Sequence, residues 1–572
     1  MMNSNNKGIS LLYPEFPSDY KIASETAMHD LGVDALSVKV TDDVKEQQMI
    51  MRVLGKMTSS SEVASYRQDI FDDVLNLPSM RDKLLELLNR IDYFRDYGTW
   101  RKSAEEKPGL WDLLHRLEEL DSYIKCIESL RECLSDSNIR SKGLNDLKGF
   151  IDELYNDNHY AELKKDITAL KVDASSIQSL TIGINVNSSF EAESLGLVSV
   201  NAKPFKKSGI VGNFADAVSS KDRINKDLEW NEDMHYDPAD PPEKDNAIDR
   251  LDKQVTAMAK YSNPLVGYSE SLAKVPDGDG TSNATFYLSN VASKMTSHLV
   301  KKLKGTLASY TEVSMVILSR LIPELVYYIR FAEFIENAKS KGMKFCKPSV
   351  LSSSSKISMK ASGFYNIRLA ASLDSFDQIV TNDLSFDESR RIMLLTGANR
   401  GGKTTLTQAV GLLFALAQGG LYVPCDSFEY KPVDMIFTHF PADEDKTTDL
   451  GRLGEECVGY KELFDEATSD SLILLNESFS TTSFEEGFYI ASDAVKALCH
   501  KNIRTIYNTH MHKLASDLLG FDNKVSSIVM ESEGGNRSFK VSEMPLEGSS
   551  YASDIARKYG VTYEMLIGDK SI

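Results

Sequence analysis

Apolar residues recur at helical spacing through most of residues 1–170. Glu46 to Lys56, Met80 to Tyr93 and Leu110 to Ser135 carry Leu, Ile and Met with charged residues between them, which predicts amphipathic helices packed as a bundle. The period then shortens. Leu180 to Val186 and Gly196 to Asn201 read as strands of a small sheet set into the helical region. Asn213 to Asp249 is acidic and contains Asp237-Pro-Ala-Asp-Pro-Pro-Glu243, the pattern of a loop or a partly disordered insertion. A long helical region follows from Ala284 to Ala338, with Pro323 as its kink or break. Ser352 to Ser355 mark a linker before an α/β domain that starts near Lys360. The expected division is therefore 1–283, 284–350 and 360–572.

The most specific chemistry lies in the last segment. Ile392 to Leu395 form an apolar strand that runs into the pattern G-x-x-x-x-G-K-S/T, with Gly397, Gly402, Lys403 and Thr404 in the fixed positions. Thr404 to Gln418 then read as a helix with an apolar stripe through Leu406, Val410, Leu413 and Leu416. The glycines let backbone N–H groups point into one concavity, Lys403 can reach the β- and γ-phosphates, and the Thr404 hydroxyl can ligate Mg2+. The implied ligand is a nucleoside triphosphate, ATP with Mg2+. Ala398, Asn399, Arg400, Gly401 and Thr405 complete the predicted cradle.

Two further strands fit the same chemistry. Ser471 to Asn476 is a buried apolar run ending at Asn476 and Glu477, where an ATPase places its metal-organising group and its catalytic carboxylate. Glu477 is the candidate general base; the bland alternative is an acidic residue capping the next loop. Arg504 to Thr509 ends in His510, placed to sense or polarise a γ-phosphate, while His512 is expected to be peripheral.

Composition changes this picture only at the margins. At 572 residues, 42% hydrophobic and 26% charged, the chain has room for three or four ordinary globular domains. The N-terminus lacks a basic-then-apolar signal pattern and no uncharged apolar stretch approaches bilayer length, so a cytoplasmic protein without a membrane partner is expected. The six cysteines show no C-x-x-C pair and no histidines at zinc spacing, which favours buried free thiols in a reducing compartment. A net charge of -19 argues against coating nucleic acid non-specifically but leaves room for a local basic track. Lys294, His298, Lys301, Lys302 and Lys304 could decorate one such face, as could Lys203, Lys206 and Lys207; a solvated helix face is the alternative for both.

With these motifs in order, the region from Gly363 to Leu566 resembles the ATPase domain of the MutS family, a branch of the ABC ATPases. Thr396-Gly-Ala-Asn-Arg-Gly-Gly-Lys-Thr-Thr405 is similar to the family's TGPN-x-GGK-S/T form, with Ala398 in place of its proline. Val380-Thr-Asn-Asp383 resembles the V-x-N-D segment, and Gly419 to Pro424 the segment after the loop helix. Asn476-Glu-Ser-Phe-Ser-Thr-Thr-Ser483 resembles D-E-x-x-x-x-T-S, and Asn508-Thr-His510 resembles A-T-H. Gly548 to Ala552 and Ile555 to Val561 resemble the C-terminal S-Y-G segment and its helix, and residues 25–345 resemble the helical core and lever domains.

The resemblance implies an α/β P-loop ABC-type ATPase domain at the C-terminus, preceded by a mainly α-helical core and lever region with a small β insertion. It also implies a homodimer with nucleotide between two ATPase domains, and DNA as partner. The candidate signature loop is Thr448 to Glu456, with Arg452 and the backbone of Gly451 and Gly454 facing the opposite γ-phosphate. Asn476 stands where the family carries Asp, so a weakened metal site and slow hydrolysis are expected. No F-x-E wedge precedes the helical core and no Smr tail follows Ile567, so direct mismatch reading is not expected. A second class of function also fits: a slow or non-hydrolysing nucleotide-gated scaffold that binds a protein partner, favoured by Asn476, the altered signature loop and the acidic balance.

Overall fold

The computed structural model describes residues 9–15, 20–95, 110–175, 179–186, 188–189, 192–201, 272–274, 297–310, 320–352, 354–373, 375–397, 400–440, 451–519, 521–533, 536–543, 560–561 and 565–566. The acidic segment 213–249, Lys203, Lys206, Lys207, Lys294, Ala398, Asn399, residues 448–450 and the S-Y-G segment lie outside them. The chain forms two compact units. One is built from Met1–Leu88, Glu132–Phe150 and Ile317–Ile572, the other from Asn89–Arg131 and Ile151–Val316.

The first unit centres on a six-stranded sheet in the order Ile436–His439, Leu472–Asn476, Arg504–Asn508, Ile392–Gly397, Val525–Glu533, Asn536–Ser542. The first five strands are parallel and the last is an antiparallel edge. Strands Ile392–Gly397, Leu472–Asn476 and Arg504–Asn508 are buried along their whole length, which is why they read as unbroken apolar runs. Helices Gly451–Glu466 and Phe484–Lys501 cover one face through a cluster that includes Ile473, Leu475, Val495, Leu498 and Tyr507.

The helix Lys403–Gln418 contacts the sheet and also carries the N-terminal helices Glu25–Leu31 and Ser61–Asn76. Close approach at this junction is set by Gly411, where an added Cβ would lie 2.3 Å from Leu31 Cδ2 and 2.8 Å from Leu474 Cδ1. Helix Ile322–Ser340 packs across Val44–Leu54 and Ser61–Asn76, and Arg330 grips the buried Glu46 carboxylate with two bonds of 2.8 Å. Pro323 sits in the first turn of that helix, where a missing N–H costs nothing; it starts a helix and does not kink one. A second sheet, Ser349–Val350, Ser427–Tyr430, Ile357–Phe364, Asn382–Asp387, completes this unit's larger β-structure.

The second unit contains helices Asn158–Ser175 and Ser297–Leu307 and an antiparallel sheet of Ser179–Val186, Ala192–Asn201 and Leu272–Lys274, which includes the two strands expected from the sequence. Leu303 and Leu307 bury the inner face of Ser297–Leu307, leaving Lys301, Lys302 and Lys304 exposed; His298 lies in the same helix. No helix among the described residues is long and apolar enough to cross a membrane.

Candidate nucleotide site

The site forms at the C-terminal ends of three adjacent parallel strands. Gly397 ends its strand at φ 135° and Gly402 opens the following helix at φ 93°, with Arg400 between them at φ 59°. A Cβ on Gly397 would lie 2.9 Å from Met530 Cβ and 3.1 Å from the Met530 backbone N, so this position requires glycine for both conformation and space. Lys403 is buried and its Nζ donates to the Gly397 carbonyl at 3.1 Å, folding the ammonium back across the loop. Burial lowers the Lys403 pKa, a cost that an anion in the loop would relieve.

Thr404 begins the chemistry on the metal side. Its hydroxyl donates to Asn476 Oδ1 at 3.0 Å, and Asn508 Nδ2 donates to Thr404 Oγ1 at 3.4 Å and to Asn476 Oδ1. Thr404 Oγ1 and Asn476 Oδ1 are oxygen donors suited to a hard cation that keeps several waters. Asn508 Oδ1 is buried without a hydrogen-bond partner, so turning its amide over would add a third oxygen and withdraw the opposing N–H2. The residues therefore fit Mg2+ with a neutral donor set. An Asn476→Asp variant should lower the Mg2+ concentration needed for half-maximal ATP turnover by about 10-fold, read by magnesium titration; an unchanged requirement would separate Asn476 from the metal.

Glu477 and His510 are brought together by the register Asn476↔Asn508 between neighbouring strands. His510 Nε2 lies 2.7 Å from Glu477 Oε1, and the Glu477 N–H donates to the Asn508 carbonyl at 2.8 Å. Glu477 holds φ 53°, an uncommon backbone state for a side-chain-bearing residue at the end of a strand. The His510 hydrogen bond lowers the Glu477 pKa, with the His510 and Lys403 charges adding to it against burial, so its carboxylate form is favoured. His512 is exposed, and burial of part of its ring with the charges of His510 and Lys403 lowers its pKa. A cavity of about 180 Å³ opens beside the pair, lined by Glu477, Phe479, Ser483, Phe484, His510 and Met511 among others. That is less than the ~300–1,000 Å³ of an ordinary ligand pocket.

The expected signature loop is corrected in part. Residues from Gly451 onward form the helix Gly451–Glu466, with Arg452 exposed in its first turn. Two glycines suggest a loop, but Leu453, Cys457, Tyr460 and Phe464 form a helical stripe that packs on the core, and packing outweighs the propensity cost.

His439 was not singled out in the sequence. It ends the strand beside Leu472–Asn476, with Nε2 3.0 Å from the Glu456 carbonyl and Nδ1 2.7 Å from Ser478 Oγ. The carbonyl accepts only, so Nε2 carries the proton, and burial lowers the His439 pKa and favours the neutral ring. His439 thus joins the last residue of the candidate signature segment, Glu456, to the residue following Glu477. Next to it, Thr438 donates to Asp30 Oδ2 at 2.6 Å and Gln408 donates to the Asp30 carbonyl at 2.7 Å, tying an N-terminal helix to the strand and to the loop helix. The legible signal for His439 was its place at a strand end, the same signal that revealed His510.

Two family models match the chain that carries this strand, glycine loop and helix. Residues 393–566 match MutS domain V, and residues 59–340 match the MutS2 N-terminal domain. The chain belongs to the MutS family. It is 27% identical over 352 residues to the DNA mismatch repair protein MutS of Chlorobium phaeobacteroides, covering 57% of this chain and 39% of that one. It is 29% identical over 188 residues to the endonuclease MutS2 of Thermus thermophilus, covering 33% and 25%, and 36% identical over 186 residues to MutS of Methanothrix thermoacetophila, covering 32% and 21%. The matched stretches span well under half the length of these relatives.

Proposed function

We propose that the chain is a MutS-like, ATP-dependent DNA-binding protein of mismatch-repair or recombination type, in which ATP binding and slow hydrolysis are coupled to closure of a homodimer on DNA in the cytoplasm. The observation that carries this reading is the Glu477–His510 pair at 2.7 Å, beside a glycine loop across which the buried Lys403 folds its ammonium. The loop amides from Gly397 to Thr405, with Lys403, hold the phosphates. Thr404 and Asn476 hold Mg2+, which supplies charge neutralisation on the β- and γ-phosphates. Glu477 takes the proton of the attacking water, and His510, hydrogen-bonded to it, orients that carboxylate and senses the γ-phosphate.

A second ATPase domain covers the nucleotide in this reading, with Arg452, exposed at its helix end, presented from the opposite subunit. ATP can close the dimer only by the difference between its affinities for the closed and open forms. The exposed Lys301, Lys302 and Lys304, with Lys294 and His298, are the proposed DNA track, and the relatives named for DNA mismatch repair support DNA as partner. The neutral Asn476 favours slow turnover and keeps the scaffold reading in contention.

The test is steady-state ATP hydrolysis alone and with homoduplex, mismatched and four-way-junction DNA. One DNA form should change the rate several-fold, and charge reversal at Lys301 and Lys302 should abolish that change and flatten the salt dependence of binding. Turnover indifferent to every DNA would instead assign the helical region to a protein partner.

A further inference from the structure

Away from the nucleotide site, two thiols meet across a backbone bridge. Cys346 lies between helix Ile322–Ser340 and strand Ser349–Val350, and it exchanges two N–H to carbonyl bonds of 3.0 Å with Val423. Cys425 follows two residues later and turns its side chain to the same point, so that the two Sγ atoms lie 3.3 Å apart across 79 residues of sequence. All six cysteines are free thiols, but they are not equally accessible: Cys425 is only 1% exposed, whereas Cys346 is half-buried. The expectation of buried thiols therefore fails at Cys457 and at Cys346, the member of the pair that solvent reaches.

We propose that Cys346 and Cys425 form a dithiol–disulfide pair that reacts with low-molecular-weight disulfides of the glutathione type. The Cys346 thiolate attacks one sulfur of the small disulfide, forming a mixed disulfide and releasing one small thiolate. Cys425, losing its proton to solvent, then attacks Cys346 Sγ and releases the second. The protein pair is oxidised by two electrons, the small disulfide is reduced to two thiols, and the two cysteine protons balance the two thiols formed. The sulfurs need to close by only about an ångström to reach bonding distance, a side-chain rotation on a backbone already pinned by the Val423 bridge.

The electrostatics assign the same order of attack. The Cys425 thiol hydrogen-bonded to Cys346 lowers the Cys346 pKa, and that same contact together with burial raises that of Cys425. The crosslink would fasten the segment leaving helix Ile322–Ser340 to the turn before strand Ser427–Tyr430, where Lys344 and Asp426 already pair at 3.1 Å.

The experiment is to incubate the reduced full chain with glutathione disulfide, quench in acid, unfold the chain, block remaining thiols with N-ethylmaleimide, and map the digest by mass spectrometry. The expected result is a Cys346–Cys425 linked peptide, a loss of two hydrogen atoms in intact mass, and a fall from six alkylated thiols to four. Six alkylated thiols, a disulfide through other cysteines, or glutathione retained on Cys346 would overturn the proposal. A Cys425→Ser chain should stop at the mixed disulfide on Cys346, and a Cys346→Ser chain should leave Cys425 unmodified. Circular dichroism of the reduced variants checks that both fold, and if either does not, the wild-type map alone decides.

Discussion

Replacing Glu477 with Gln should lower steady-state ATP turnover by about 10²–10⁴-fold and leave nucleotide binding in place, the loss expected when a general base can no longer accept a proton. Gln keeps the size of the side chain and one acceptor oxygen toward His510 Nε2, now 2.7 Å from the Glu477 carboxylate. What it cannot do is become neutral by taking the proton of water. The substitution keeps the bonds of Lys403 to Gly397 and of Thr404 to Asn476, and takes from Lys403 the attraction of the Glu477 charge. Phosphate release and binding of a fluorescent ATP analogue separate the two quantities. Turnover at the wild-type rate would remove Glu477 from its role, and loss of binding with turnover would show that the carboxylate helps to build the site.

The reading frame of this site was legible because its parts are local. Strand, glycine loop and helix lie within Ile392–Gln418, and the Glu477 and His510 strands announce themselves as apolar runs with a polar end. Asn382 was visible as part of a short motif, but its work was not: its amide donates to the Phe539 carbonyl at 3.1 Å and accepts from the Val541 N–H at 2.8 Å, pinning the antiparallel edge strand. Those partners stand 157 and 159 residues away, beyond any local pattern. The same limit hid the union of the first helices with the ATPase sheet, which rests on Asp30 with Thr438 and Gln408, and on Gly411 against Leu31. The helix from Gly451 was missed for a different reason, since Thr448 to Glu456 was read as a loop from the family resemblance and its apolar stripe was not used.

Substituting Arg67 with Ala should cost about 3–5 kcal/mol of stability, because two buried carbonyls and one part-buried one lose their donors and a large side chain leaves a cavity. Arg67 is 1% exposed and donates from Nε to the Leu12 carbonyl at 2.9 Å and from Nη1 to the Lys56 carbonyl at 3.2 Å and the Gln418 carbonyl at 3.0 Å. Its guanidinium also lies 4.9 Å from the Tyr13 ring centroid, and no acidic side chain is among these contacts. Gly420 explains how the helix end comes so close: at φ 86°, an added Cβ would meet the Arg67 backbone at 2.5 Å. Lys at position 67 keeps the charge but cannot reproduce the planar fork, so its loss should be smaller than that of Ala and larger than a surface substitution. Urea denaturation of the three proteins gives the order. A near-zero cost for Ala would mean that the desolvated guanidinium, whose Nη2 lacks a partner, cancels what its bonds contribute. Nucleotide binding should survive in the folded Ala variant, because Gln418 lies at the opposite end of the helix from Lys403. If binding is lost as well, Arg67 sets the position of that whole helix, and the N-terminal segment is part of the nucleotide site's support.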